Sequence, residues 1–119
     1  MVAANPILHF ERIQQGSQLP LGWEHPTTLQ IHSLHRELSL WGLVQFLDDA
    51  GFFGQYNYVY IPRSIDGLSR EYAFVNFVSA AAAESFFLAG DFREAPGIAR
   101  PNAFLRCKVA SQQGYVNIT

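Results

Sequence analysis

Two short stretches of this chain, Tyr56-Asn57-Tyr58-Val59-Tyr60-Ile61 and Tyr72-Ala73-Phe74-Val75-Asn76-Phe77-Val78, are rich in aromatic and β-branched residues. Such residues favour strands, and successive side chains of a strand point to opposite faces. Each stretch therefore has two unlike faces. In the second, Ala73, Val75 and Phe77 suit a core, which leaves Arg70, Tyr72, Phe74 and Asn76 on the other side. In the first, Val59 and Ile61 suit the core, which puts Tyr56, Tyr58 and Tyr60 on the face shared with Tyr72 and Phe74. Pro62 ends the first stretch and Asp66-Gly67 marks a turn between them.

The flanking segments supply the remaining elements. Thr28 to Leu34 alternates, with Leu29 and Ile31 apolar and Gln30 and His32 polar, and reads as a strand. Ser39 is a good N-cap for a helical stripe of Leu40, Leu43, Val44 and Leu47, and Gly51 a good stop, so a helix is expected over Leu40 to Ala50. Ser79 caps a second helix over Ala80 to Ala89, closed by Gly90. Asp91 to Asn102 holds Pro96, Gly97 and Pro101 and reads as a loop before a last strand, Phe104 to Ala110. The order βαββαβ predicts an α+β, ferredoxin-like sandwich: a four-stranded antiparallel sheet with two helices on one face. The strands containing Ile31 and Phe74 should lie side by side in its middle. Residues 1–26 show no sustained period and read as an N-terminal arm before a domain at 27–119, with Trp23 expected to lie partly buried at the sheet edge.

At 119 residues, 49% of them apolar, the chain suits one domain with its own core. Its apolar runs are too short to span a membrane and its N-terminus carries no secretory pattern. The lone Cys107, flanked by Arg106 and Lys108, fits a buried residue in an intracellular, reducing setting. The histidines and Cys107 lack metal-ligand spacing, so neither a cofactor nor a metal is expected. Asp48-Asp49 sits at a helix end and reads as surface charge rather than a paired-carboxylate site. A small ferredoxin-like hydrolase would need a glycine loop to cradle an anion, and none is present. Neither an enzymatic activity nor a small-molecule substrate is therefore expected.

The most specific segment is Arg70-Glu71-Tyr72-Ala73-Phe74-Val75-Asn76-Phe77. It resembles the octamer of the RNA recognition motif, Lys/Arg, Gly, Phe/Tyr, Gly/Ala, Phe, Val, any, Phe/Tyr, at every specified position but the second, where Glu71 replaces glycine. The resemblance implies that Tyr72 and Phe74 stack bases of single-stranded RNA while Arg70 pairs with a phosphate. Glu71 should point away from that face, yet a glutamate is long enough to swing toward Arg70. In the first strand, Leu29-Gln30-Ile31-His32-Ser33-Leu34 offers Gln30, which hydrogen-bonds a base edge but stacks poorly, and His32. The candidate RNA-contacting set is thus Gln30, His32, Tyr56, Tyr58, Tyr60, Arg70, Tyr72, Phe74, Asn76 and Lys108.

Within that class the chain is similar to the C-terminal RNA recognition motif of Mei-two-like proteins from about Thr27 to Ile118. The similarity rests on Thr27-Thr28-Leu29-Gln30-Ile31, Ser39 to Phe52, Gly54 to Pro62, Tyr72 to Phe77 and Val109-Ala110-Ser111-Gln112-Gln113-Gly114. It implies a role in post-transcriptional control. The chain departs from the family at Ser33-Leu34-His35-Arg36-Glu37, at Glu71 and in a short Arg63 to Arg70 loop. Its net charge of −2 speaks against strong non-specific nucleic-acid binding, while an aromatic share of 14% supplies material for stacking. A second reading, which the acidic balance and Glu71 allow, is a domain that kept the fold and turned to a protein partner.

Overall fold

The computed structural model describes residues 18–114. β1 is Thr28–His32, α1 Leu40–Leu47, β2 Tyr56–Tyr60, β3 Tyr72–Phe77, α2 Ala80–Gly90 and β4 Arg106–Val109. The sheet is antiparallel throughout, in the order β2-β3-β1-β4, so β1 and β3 are central as the alternation implies. Each strand is shorter than expected by one to three residues. The expected arm lies largely outside the described residues, at 1–17.

Both helices begin where a hydroxyl can satisfy free amides. Ser39 accepts from the Gly42 N–H at 2.9 Å and Ser79 from the Ala82 N–H at 3.1 Å. Beyond Leu47, α1 widens into one π-helical turn, Asp48–Phe52, where Gly51 takes a φ of 100°. The helices cover one face of the sheet. Leu29, Ile31, Ala73, Val75, Phe77 and Cys107 point into that layer and meet Leu43 and Leu47 of α1 and Ala83, Phe86 and Phe87 of α2. Phe52 sits edge-on to both Phe77 and Phe86, with centroids 6.0 and 5.3 Å away, an arrangement that aromatic quadrupoles favour. Trp23 packs edge-on to Phe87 at 5.1 Å, so this residue of the arm lies against α2 rather than only along the sheet edge.

Phe77 is 1% exposed and sits in the middle of this ring cluster. Phe77→Ala is expected to lower unfolding free energy by about 3–5 kcal/mol, because the cavity cannot collapse among fixed rings. Chemical denaturation of the two forms measures it.

Candidate nucleic-acid interface

The face of the sheet away from the helices is organised in rows across the strands. One row runs Tyr60, Phe74, Gln30, Lys108 from β2 to β4, and the next runs Tyr72, His32, Arg106 across β3, β1 and β4. The rings are in contact. Tyr60 stacks on Phe74 with centroids 6.4 Å apart, Phe74 meets Tyr72 edge-on at 5.8 Å, Tyr72 stacks on His32 at 5.6 Å, and Tyr58 lies 6.4 Å from Tyr60. Five aromatic or imidazole rings thus form one connected, partly exposed surface. Burial, with Lys108 and Arg106 beside it, holds the His32 imidazole below its ordinary pKa. Arg70 is exposed and lines, with Tyr60, Tyr72, Phe74, Ser111 and Gln112, a cavity of about 290 Å³. Its side chain makes no ion pair among the described residues.

Two expected members of the set are not part of the open surface, one turned to the core and one buried in place. Tyr56 was expected beside Tyr58 and Tyr60, but the β2–β3 register shifts between Tyr56 and Tyr58. Tyr56 pairs with Phe77 while Tyr58 pairs with Asn76, so two steps along β2 match one along β3. Such a bulge turns the residues before it to the opposite face. Tyr56 therefore packs against the core, and its hydroxyl donates to Asp48 at 2.5 Å. Burial and that carboxylate push its phenol up to about 12. Asp48 is accordingly a structural partner rather than mere surface charge.

Asn76 keeps the expected face but is 6% exposed. Its side-chain carbonyl accepts from the hydroxyls of Thr28 and Thr27 at 2.6 and 2.9 Å, and its amide donates to Asn57 at 2.8 Å. The segment after β4 clamps its Thr27 and Thr28 partners. The Gln113 side-chain carbonyl accepts from the N–H groups of Thr27 and Thr28, both at 2.9 Å, and its amide donates to the carbonyls of Thr28 and Ala110 at 2.9 and 2.8 Å. The Gly114 N–H donates to the Thr28 hydroxyl at 2.8 Å. This clamp closes over Thr28 and leaves the two rows nearer Arg70 open.

Three residues near the open rows were not in the candidate RNA-contacting set. Arg106 follows from the alternation that placed Lys108. Its guanidinium donates to Asp91 at 3.1 Å and lies 3.9 Å above the Phe92 ring. Ser111 and Gln112 are brought to the face only by the clamp, which no local pattern announces.

Glu71 has the octamer's glycine position and also the backbone that glycine favours, with φ at 72°. The side chain is turned from Arg70. Its carboxylate lies 3.4 Å from Arg100 and 4.0 Å from Arg36. The physical demand at this site is a left-handed residue where the chain enters β3, and glutamate meets it under strain.

A ferredoxin-like sandwich in this order is the architecture of RNA recognition motif (RRM) domains, and solved structures of that class share the fold. The Rna15 RRM with bound RNA (GU) has 15% identity and a TM-score of 0.59, over 73% of this chain and 85% of that one. The Sex-lethal protein–RNA complex has 22% identity and a TM-score of 0.61, over 75% of this chain and 49% of that one, so this chain spans about half of it. The second RRM of yeast poly(U)-binding protein Pub1 has 22% identity and a TM-score of 0.57, over 73% of this chain and 96% of that one. No family model and no curated protein matches the sequence. The chain has the RRM fold. Among the described residues no helix is long and apolar enough to cross a membrane.

Two variants test this geometry. Tyr56→Phe should cost about 1 kcal/mol of stability through the lost Asp48 bond while leaving the open face unchanged, measured by denaturation and by amide shifts of β3. Glu71→Gly should instead raise stability by about 0.5–1 kcal/mol, because relief of left-handed strain outweighs two exposed ion pairs.

Proposed function

We propose that this domain binds single-stranded RNA on the two open rows of its sheet. The observation that carries the reading is the connected ring surface of Tyr58, Tyr60, Phe74, Tyr72 and His32 on the helix-free face. Exposed apolar patches of this kind mark binding sites, and every base offers a π-face to stack on such rings. Tyr72 and Phe74 are the base platforms, Arg70 the phosphate contact beside them, and Gln30 and Lys108 the polar groups at the far side of the row. The RNA-bound Rna15 and Sex-lethal neighbours support the reading, since they carry ligand on the same fold. The similarity to the Mei-two-like C-terminal motif supports a role in post-transcriptional regulation. It includes Gln113, whose clamp shapes the face.

Tyr72→Ala and Phe74→Ala should each weaken binding to a pool of short single-stranded RNAs by about 1–3 kcal/mol, with the fold intact. Binding should favour single strands over duplex RNA, whose bases are stacked away. It should fall only gently with salt, because few cations face the strand. Fluorescence titration at two salt concentrations measures all three. Absence of RNA binding, with a protein partner captured on the same rings, would turn the reading to a protein-interaction domain.

A further inference from the structure

Three segments meet beside Tyr72 and His32 at one end of the open face. The end of β1 continues through Ser33 to Arg36, the entry to β3 is Ser69 to Glu71, and the loop before β4 passes through Ile98 to Pro101. They are tied together by their backbones. The Leu34 N–H donates to the Glu71 carbonyl at 3.0 Å, the His35 N–H to Ile98 at 2.8 Å, the Ser69 N–H to Arg36 at 2.9 Å and the Arg100 N–H to Ser33 at 2.8 Å. Between them lies a cavity of about 380 Å³, lined by His35, Arg36, Leu68, Glu71, Arg100 and Pro101 among others. Arg36 and Arg100 come from different segments, and both guanidiniums converge on the Glu71 carboxylate, at 4.0 and 3.4 Å. Asp66 reaches the other side of Arg36 at 4.0 Å. All these side chains are partly exposed.

Two guanidiniums aimed at one oxyanion from a fixed backbone frame make a receptor for planar or tetrahedral oxyanions. Here the oxyanion in place belongs to the chain itself, on a residue held in the left-handed region with φ at 72°. Glu71 immediately precedes Tyr72, and Arg100 is bonded to Ser33, which immediately follows His32. The two groups that hold Arg100, the Glu71 carboxylate and the Ser33 carbonyl, thus each lie one residue from the Tyr72–His32 stack.

We propose that Arg36 and Arg100 form a backbone-phosphate subsite for the RNA strand leaving the aromatic face, and that Glu71 occupies this subsite in the free protein as a substitute for the phosphate. The inference rests on the RNA-binding reading and adds to it a second anchor, distinct from Arg70. Binding at this anchor requires the Glu71 carboxylate to yield to a phosphodiester oxygen, so the glutamate lowers affinity and hides two cations from the ligand.

The test uses the whole chain and a random-sequence pool of short single-stranded RNAs, titrated across a range of salt. Glu71→Gln removes the charge and keeps the side chain's size. It should tighten binding by about two- to fivefold at low salt, the scale of an exposed ion pair. It should also steepen the slope of log affinity against log salt by about 0.7, one further phosphate on a single strand. Glu71→Gly, which also relieves the backbone, should show the same steepening, and serves if the glutamine variant folds poorly. Adding Arg100→Ala to Glu71→Gln should erase both the gain and the extra slope, and Arg36→Ala should erase part of them. Inorganic phosphate raised at constant ionic strength should leave the gain in place. Its loss there would mark a free-phosphate site and overturn the strand subsite. If Tyr72→Ala weakens RNA binding while Glu71→Gln changes neither affinity nor slope, the subsite is wrong and the stacking face stands. If no form binds RNA, both fall together.

Discussion

Antiparallel pairing of β1 with β3 sets Thr28 against Asn76, Gln30 against Phe74 and His32 against Tyr72, and the other elements are arranged about that ladder. Each strand alternates, so the residues between these pairs, Leu29, Ile31, Ala73 and Val75, must all be covered from one side. Both helices are needed for that, and among the described residues no helix lies on the opposite side. The exposed ring surface follows from the same alternation that makes the core. Its rings can be large because they have no layer to fit beneath, and they hold one another in place through their mutual contacts.

Much of this was legible in the sequence because period-two alternation and serine caps are local signals. The element order, the central position of β1 and β3 and the facing of Tyr58, Tyr60, Tyr72 and Phe74 all follow from neighbours one or two residues apart. The misreadings have long-range causes. Tyr56 continues the alternation of Tyr58 and Tyr60 in sequence, but a bulge reverses its face, and only the partner strand records the slip. Asn76 stands at a correct outward position, yet it is buried and its side chain is taken up by Thr27 and Thr28 of β1 and its approach and by Asn57 of β2, partners that only the sheet brings to it. Glu71 lies between these cases. The octamer's glycine hints at an unusual backbone, and the positive φ explains it, but the Arg36 and Arg100 partners come from segments that only the fold brings together.

Charge follows the same logic of place over total. A net charge of −2 suggests a poor partner for a polyanion. On the surface, though, cations gather near the rings: Arg70 and Lys108 border the open rows, and Arg106 is locked to Asp91 and Phe92. A ligand held by stacking needs few of them, provided they stand where its backbone passes.

The clamp made by Gln113 also bears on where the folded unit ends. Counting strands would close the domain at Val109, the last residue of β4. A chain cut there would still contain every helix and strand, but it would strip partners from the N–H groups of Thr27 and Thr28 and uncover a Thr28 side chain that is fully buried. The start of the first strand is therefore completed by residues that belong to no strand. A shortened version would fray at β1, the centre of the sheet, rather than at its newly made end.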